Sequence, residues 1–222
     1  MADQTIDQLA KDNANAIRKY TRGIVMVAPM TAPAITKITA DSETNAGTPT
    51  LSIPEEYKSI GLIKKDGGIE FTAERDISDV ESLGYAAPTR RDILKEDQTI
   101  VFTPHETNKL VAGLYNGLDL TGVKPDSTTG EVVYQKPTTP PALYYRVLII
   151  GADGAGAGQF YKAWFVPRGM ITETDSTSMS AEDEAQYQLT LAATPDPALG
   201  FAVQIHEAGA GFKADAAALG WT

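Results

Sequence analysis

Between Thr99 and Gly117 the chain changes its hydrophobic period, and that switch narrows the folds open to it. Ile100 and Phe102 point one way; Thr99, Val101 and Thr103 point the other. Period 2 marks a strand with one buried face. Pro104 follows and, with no N–H to donate, ends the ladder. Leu110, Val111, Leu114 and Tyr115 then recur at three- and four-residue spacing, which is one face of a short helix. Thr107 is the expected N-cap, its hydroxyl accepting from a free N–H of the first turn. Gly117 is the expected stop. A helix this short falls below the ~12–15 residues at which isolated helices begin to hold in water. Its apolar face must therefore lie on a sheet, through Leu110, Val111, Leu114 and Tyr115.

The remaining signals are mostly β. Residues 1–23 carry Ile6, Leu9 and Ile17 at loose helical spacing, and read either as a surface helix or as an arm packed on a neighbouring subunit. Ile24–Val27 and Ala34–Ile38, split by Pro29 and Pro33, predict two strands. Residues 39–55 are polar with Gly and Pro, hence loop. Ser59–Lys64, Asp66-Gly67-Gly68 and Ile69–Ile77 predict a hairpin. Asp79–Asp97 reads as a polar connection with weak strand character at Arg90–Leu94. Leu118–Pro141 is turn-rich, with a short strand at Glu131–Gln135. Ala142–Ile150 and Gln159–Val166 flank a glycine loop and predict a hairpin of core strands. Pro167-Arg168-Gly169 is expected to turn the chain into a separate strand, Met170–Thr174. In Glu184–Ala192, Tyr187, Leu189 and Leu191 face inward while Gln186, Gln188 and Thr190 face outward. Phe201–His206 is the last expected strand, ahead of a glycine-rich tail. Nine or ten strands against one firm helix predict a mainly β chain, a sandwich or barrel in a single domain spanning 1–222.

Chemistry is hard to find. The formal net charge is −10, which argues against phosphate-backbone binding as the main task. There is no cysteine, so no disulfide framework and no thiolate metal site. No apolar run approaches the ~18–20 residues of a membrane span. The N-terminus lacks the basic start and apolar core of a signal peptide, so a soluble, cytoplasmically made protein is expected. His105 and His206 each stand beside a glutamate, but outside any His-Glu-x-x-His pattern. The glycine loop GADGAGAG lacks a succeeding Gly-Lys-Ser/Thr and leads into a strand-like run, so a phosphate cradle is not indicated. No nucleophile elbow is present. The expectation is a non-enzyme with no cofactor and no metal.

One strand face stands out. In Ile69–Ile77, Ile69, Phe71, Ala73 and Ile77 share a face with Arg75, while Glu70, Thr72, Glu74 and Asp76 share the other. An acidic strand face is not core. It is either plain solvent surface or the wall of a water-filled acidic passage.

Three stretches together carry a resemblance: TIVFTPHETNKLVAGLYNGLDLTG, KAWFVPRGMITETDSTSMSAEDEAQYQLTLAATPDPALGFAV and the terminal AALGWT. The chain, from about Ile60 onward, resembles the major tail tube proteins of long, non-contractile-tailed bacteriophages, especially those infecting actinobacteria. The resemblance implies a tail-tube-type β-sandwich or barrel with one flanking helix, without an added C-terminal immunoglobulin-like domain. It implies hexameric rings stacked into a hollow virion tube, with inner strands joining into one β-barrel. It implies residues 39–55, residues 79–95 and the N-terminal arm as contacts to the next ring. The implied partners are copies of itself and the tape-measure, tail-tip and tail-terminator proteins, with DNA in transient passage and no membrane insertion. On that reading Glu70, Thr72, Glu74 and Asp76, with Gln186 and Gln188 as weaker candidates, line the lumen. The alternatives are a monomeric acidic β-sandwich that binds a protein or sugar, and an injection-system tube protein of the same fold.

Overall fold

The computed structural model describes residues 5, 6, 10, 12–41 and 49–221. The strands are β1 Arg22–Pro29, β2 Thr39–Asp41, β3 Pro49–Leu51, β4 Lys58–Ser59, β5 Ile69–Val80, β6 Arg90–Phe102, β7 Tyr145–Asp153, β8 Phe160–Thr174, β9 Leu189–Ala193 and β10 Gln204–Ala208. Helix α1 is Lys109–Asn116 and helix α2 is Ala210–Asp215. One antiparallel sheet runs β4-β1-β7-β8-β9-β6-β5, with β10 on β8 beside β9; β2 and β3 pair separately. β8 reaches both β9 and β10 because it is 15 residues long. Its first half carries β10 and its second half carries β9.

The sheet curls until β5, at one end of the order, lies over β1 and β8. Ile69 Cδ1 comes within 3.5 Å of where a Gly23 Cβ would sit, and Phe71 stacks on Trp164 with ring centroids 4.2 Å apart. Inside the roll is one apolar cluster, built from Val25, Phe102, Ile149, Val166, Leu189 and their neighbours. A second cluster sits on the outer face of β1, β7 and β8, where Leu148, Ile150 and Phe165 are covered by Ile35, Ile38 and Tyr57. β7 is thus buried on both faces, which is why Ala142–Ile150 reads as a continuous apolar run and not as an alternation.

Helix α1 caps the roll. Val111 and Leu114 are buried in the inner cluster, and Leu110 and Tyr115 pack against it. The cap is Asn108, not the expected Thr107. The Val111 N–H donates to Asn108 Oδ1 at 2.9 Å, while Asn108 Nδ2 donates to the Ile60 carbonyl at 2.9 Å. A side chain that caps the helix and also ties it to the next segment outcompetes its neighbour, whose hydroxyl reaches only Tyr187 Oη at 3.4 Å. Gly117 closes the helix at φ 64°, the left-handed conformation that glycine adopts without a Cβ penalty.

Several sequence expectations change. Asp66-Gly67-Gly68 does bend the chain, but Ser59–Lys64 and β5 do not pair with each other. Lys58 and Ser59 join β1, Ile63 bridges Pro104, and β5 pairs β6 along its whole length. Residues 79–95 are accordingly not a loop; apart from the connection 81–89 they extend the β5–β6 ladder. Ala34–Ile38 forms no strand, its apolar residues serving as a cover. Pro167 does not end its strand. A register shift opposite Tyr145 and Val147 places it in a bulge, where no ladder N–H is needed, so Met170–Thr174 continues β8. Glu131–Gln135 stays irregular, and the last strand lies at Gln204–Ala208. The tail adds a second helix. A Cβ at Gly209, whose φ is +109°, would sit 2.3 Å from the Gln159 carbonyl oxygen, so glycine there lets α2 dock on the β7–β8 loop. Residues 42–48, and residues 1–4, 7–9 and 11 of the expected arm, lie outside the described residues; Ala14–Ala16 is a single 3-10 turn.

Candidate functional site

Because cross-strand partners share a face, the register assigns the sides of the sheet formed by β5, β6, β9 and the second half of β8. One side carries Ile69, Phe71, Ile100, Phe102, Leu189, Leu191 and Ile171 into the roll. The other carries Glu70 opposite Val101, Thr72 opposite Thr99, Glu74 opposite Asp97 and Asp76 opposite Lys95. It continues through Thr190 and Ala192 of β9 to Glu173 and Met170 of β8. Among the described residues no side chain of this second face belongs to either apolar cluster. It is a broad polar face with no layer upon it.

Its charge is one-sided. Out to the end of β5 it carries Glu70, Glu74, Asp76, Asp92, Asp97 and Glu173 against two cations, Lys95 and Arg90, and Arg90 pairs with Asp92 at 2.8 Å. Lys95 pairs with Asp97, which raises the Lys95 pKa chiefly through that hydrogen bond. Among the described residues Glu70, Glu74, Asp76 and Glu173 form no ion pair. Glu74 and Asp97 are like charges set directly opposite each other, an arrangement that costs stability in a sheet. The reverse face of the same ribbon is neutralised instead. Arg75 pairs with Glu96, and the guanidinium's hydrogen bond holds that carboxyl below its usual range. Arg91 pairs with Asp79 at 3.2 Å. Both faces are wet at that distance from the core, so exposure alone does not explain the difference.

The structure brings Glu70, Thr72, Glu74 and Asp76 together on this face. Gln188 is exposed just ahead of β9, and its carbonyl accepts from the Asp175 N–H at 3.2 Å. Gln186 is drawn off to the end of the sheet, where its Oε1 accepts from Lys64 Nζ at 2.8 Å. Asp97 and Glu173 join the face unannounced. Asp97 is hidden in sequence because the β5–β6 register, not a local pattern, sets it opposite Glu74; Glu173 sits past the bulge at Ile171/Glu173.

The face also has two free edges. β5 ends the strand order, so its outer side is unpaired. On the other side, the β7–β8 ladder stops at Gly169, leaving residues 170–174 of β8 unpaired toward β7. Unpaired N–H and C=O groups at a sheet edge are a template for another strand.

Other polar groups do not assemble into a site. His105 lies 3.4 Å from Glu184 at the surface. His206 is partly buried, its Nε2 has no hydrogen-bond partner among the described residues, and burial pushes its pKa down. Among the described residues no three His, Asp or Glu side chains converge as a metal ion would require. No helix among them is long and apolar enough to cross a membrane.

The family described as phage tail tube protein matches residues 10–208. No curated protein matches the chain. Among solved structures, a chain of the PVC sheath–tube complex of an extracellular contractile injection system, in the extended state, is similar at 12% identity and a TM-score of 0.46, over 93% of this chain and 100% of that one. A chain of the anti-feeding prophage tube-terminating cap is similar at 14% identity and a TM-score of 0.38, over 80% and 93%. An Hcp protein is similar at 12% identity and a TM-score of 0.32, over 84% and 98%. The family match, not these three structures, carries the assignment.

Proposed function

Because the chain belongs to the phage tail tube protein family and is a structural protein of the tail, we propose that its acidic four-stranded face lines the lumen through which DNA passes. The observation that carries this reading is the contrast between the two faces of the β5–β6 ribbon. One is neutralised pair by pair, and the other leaves Glu70, Glu74 and Asp76 without an ion pair and sets Glu74 opposite Asp97 at a cost in stability.

The physical logic is repulsion. Six copies at −10 each give a ring of formal charge −60. A wall of carboxylates denies phosphates the Lys and Arg contacts that would trap sliding DNA. The free edges supply the closure. Strand direction alternates across β8, β9, β6 and β5, so β5 of one copy meets β8 of the next antiparallel. Repeating that junction around a six-membered ring leaves no edge exposed. Helix α1 then lies on the outside of the inner barrel. Rings stack on one another, and the tube meets tape-measure, tail-tip and tail-terminator proteins during assembly in the host cytoplasm. The whole chain acts as one tube domain, without catalysis, cofactor or membrane insertion.

The test is polymerisation. Purified chain, concentrated or seeded with isolated tail tips, should give hollow tubes or six-fold rings by electron microscopy. A chain that stays monomeric at every concentration and on every seed would instead be a stand-alone binding module.

A further inference from the structure

The seam where β5 rides over β1 and β8 is hollow. Two cavities open along it, of about 330 Å³ and about 510 Å³, and Tyr20 lines both. Each lies within the ~300–1,000 Å³ typical of small-ligand sites. The smaller runs toward α2 and Trp221, and the larger runs past the start of β5 to the turn at residues 65–68. Glycine keeps the floor low. Gly23 and Gly151 are cross-strand partners on β1 and β7, and both line the larger cavity. No side chain rises from that rung, and glycine inside a strand is a common mark of close approach to the backbone. Tyr20 takes part of the space, since a Cβ at Gly151 would stand 3.0 Å from its ring. The ring is still 42% accessible.

Rings and cations share this trough. Trp221 is 61% and Phe71 40% accessible, and the chain's two tryptophans, Trp164 and Trp221, both stand in the lining. Among the described residues the lining holds four cations, Arg18, Lys64, Lys65 and Lys162, and one carboxylate, Glu207. Glu207 lies 2.9 Å from Lys162, and Asp215, outside the lining, lies 4.0 Å from Arg18. Asp66 follows Lys65 in sequence, and Glu184 feels the charge of Lys64. Lys64 Nζ donates to the neutral Gln186 Oε1, and among the described residues neither Lys64 nor Lys65 is in an ion pair. On a chain of net charge −10 the lining is a local reversal of sign. Its charges do not converge on a point. They are strung along the trough, which fits an extended ligand better than a metal ion or a small anion.

Accessible rings favour a ligand with apolar faces of its own, and the lysines favour negative charge. A pyranose offers a face of C–H groups, and a uronic acid adds one carboxylate to each ring. A nucleic-acid strand offers rings and charge as well, but a long polyanion meets the repulsion of the whole acidic chain. We propose that the trough binds a short acidic oligosaccharide, its sugar rings packed on Tyr20 and Trp221 and its carboxylates held by Lys64 and Lys65. The site goes beyond the tube reading and uses none of the lumen carboxylates.

Because both tryptophans stand in the trough, fluorescence titration of the unassembled full-length chain with trigalacturonic acid reads binding directly. A saturable change with a Kd below ~1 mM is expected. Maltotriose, of equal length and uncharged, should bind at least about tenfold more weakly. The acidic trisaccharide should lose at least about tenfold in affinity on a Lys64→Ala/Lys65→Ala variant that melts with the parent. Trp221→Ala should also weaken binding, as read by isothermal titration calorimetry. No saturable change with the acidic sugar, equal affinity for maltotriose, or an unweakened lysine variant would overturn the proposal. Tighter binding of a thymidine oligonucleotide of equal charge would overturn it in favour of single-stranded nucleic acid. Any of these failures leaves the tube reading intact, because the unassembled chain is titrated. A chain that binds the sugar as expected but that no seed polymerises would keep this site and sink the tube reading.

Discussion

Asn108 holds helix α1 in place by two bonds at once, and its removal gives a sharp quantitative test. Its Oδ1 accepts from Val111 and its Nδ2 donates to Ile60, each at 2.9 Å. Ile60 is fully buried. Losing an Asn cap costs about 1 kcal/mol. Losing the second bond costs about another 1 kcal/mol, since the Ile60 carbonyl is left without that donor. Asn108→Ala should therefore cost about 2 kcal/mol. At ~2.1 cal/mol/K per residue, 222 residues unfold with an entropy of about 0.47 kcal/mol/K, so the melting temperature should fall by ~4 °C. Asn108→Ser keeps a capping oxygen but loses the reach to Ile60, and should show about half that fall. Thr107→Ala should stay within about 0.5 kcal/mol, as surface substitutions do. The assay is thermal denaturation of the unassembled chain by circular dichroism. An Asn108→Ala variant melting with the parent, or Thr107→Ala as the costlier change, would refute the account of how the helix is fixed to the sheet.

Three further outcomes are expected of the same structure. Replacing Glu70, Glu74 and Asp76 together by Lys should leave monomer stability within about 1 kcal/mol, since all three are exposed and Glu74 already faces Asp97. Tubes of that variant should co-sediment with DNA at low salt and release it at high salt, whereas wild-type tubes should not retain it. Leu114→Asp puts a charge into the inner cluster, where the residue is 3% accessible, and should abolish soluble folding at a cost of several kcal/mol; wild-type yield and melting temperature would contradict the packing. Burial holds His206 below its ordinary pKa, so the unfolded chain takes up the proton first. That contribution is whole above about pH 6.5 and is lost as pH falls through the lower folded value. Melting temperature should therefore fall between pH 7 and pH 5, and His206→Gln should flatten that part of the profile.

How much could be read from the residues alone depended on how local the cause was. Ile100 and Phe102 are buried in the inner cluster, and Val111 and Leu114 lie over them because period alone sets those faces. The β7–β8 hairpin was legible for the same reason. Partner choice was not. Asp66-Gly67-Gly68 is good turn chemistry, yet β5 pairs forward with β6, since a ladder of 12 matched residues outweighs a short hairpin to a segment already held by β1 and Pro104. Pro167 reads as a breaker in any sequence; only the register shift against β7 shows how a strand absorbs it. The acidic face was half legible. Alternation collects Glu70, Glu74 and Asp76, but Asp97 and Glu173 reach the same face through long-range pairing. Gln186 alternates correctly and still leaves the face, because Lys64, distant in sequence, binds it.

The central claim is that the unpaired carboxylates face a channel. Helical reconstruction of assembled tubes by cryo-electron microscopy, at a resolution that places side chains, tests it most directly. The account predicts Glu70, Glu74, Asp76 and Glu173 around the lumen, β5 beside residues 170–174 of the neighbouring β8, and α1 outside the inner barrel. Tubes whose lumen is lined by another face, with these carboxylates on the outer surface, would contradict it.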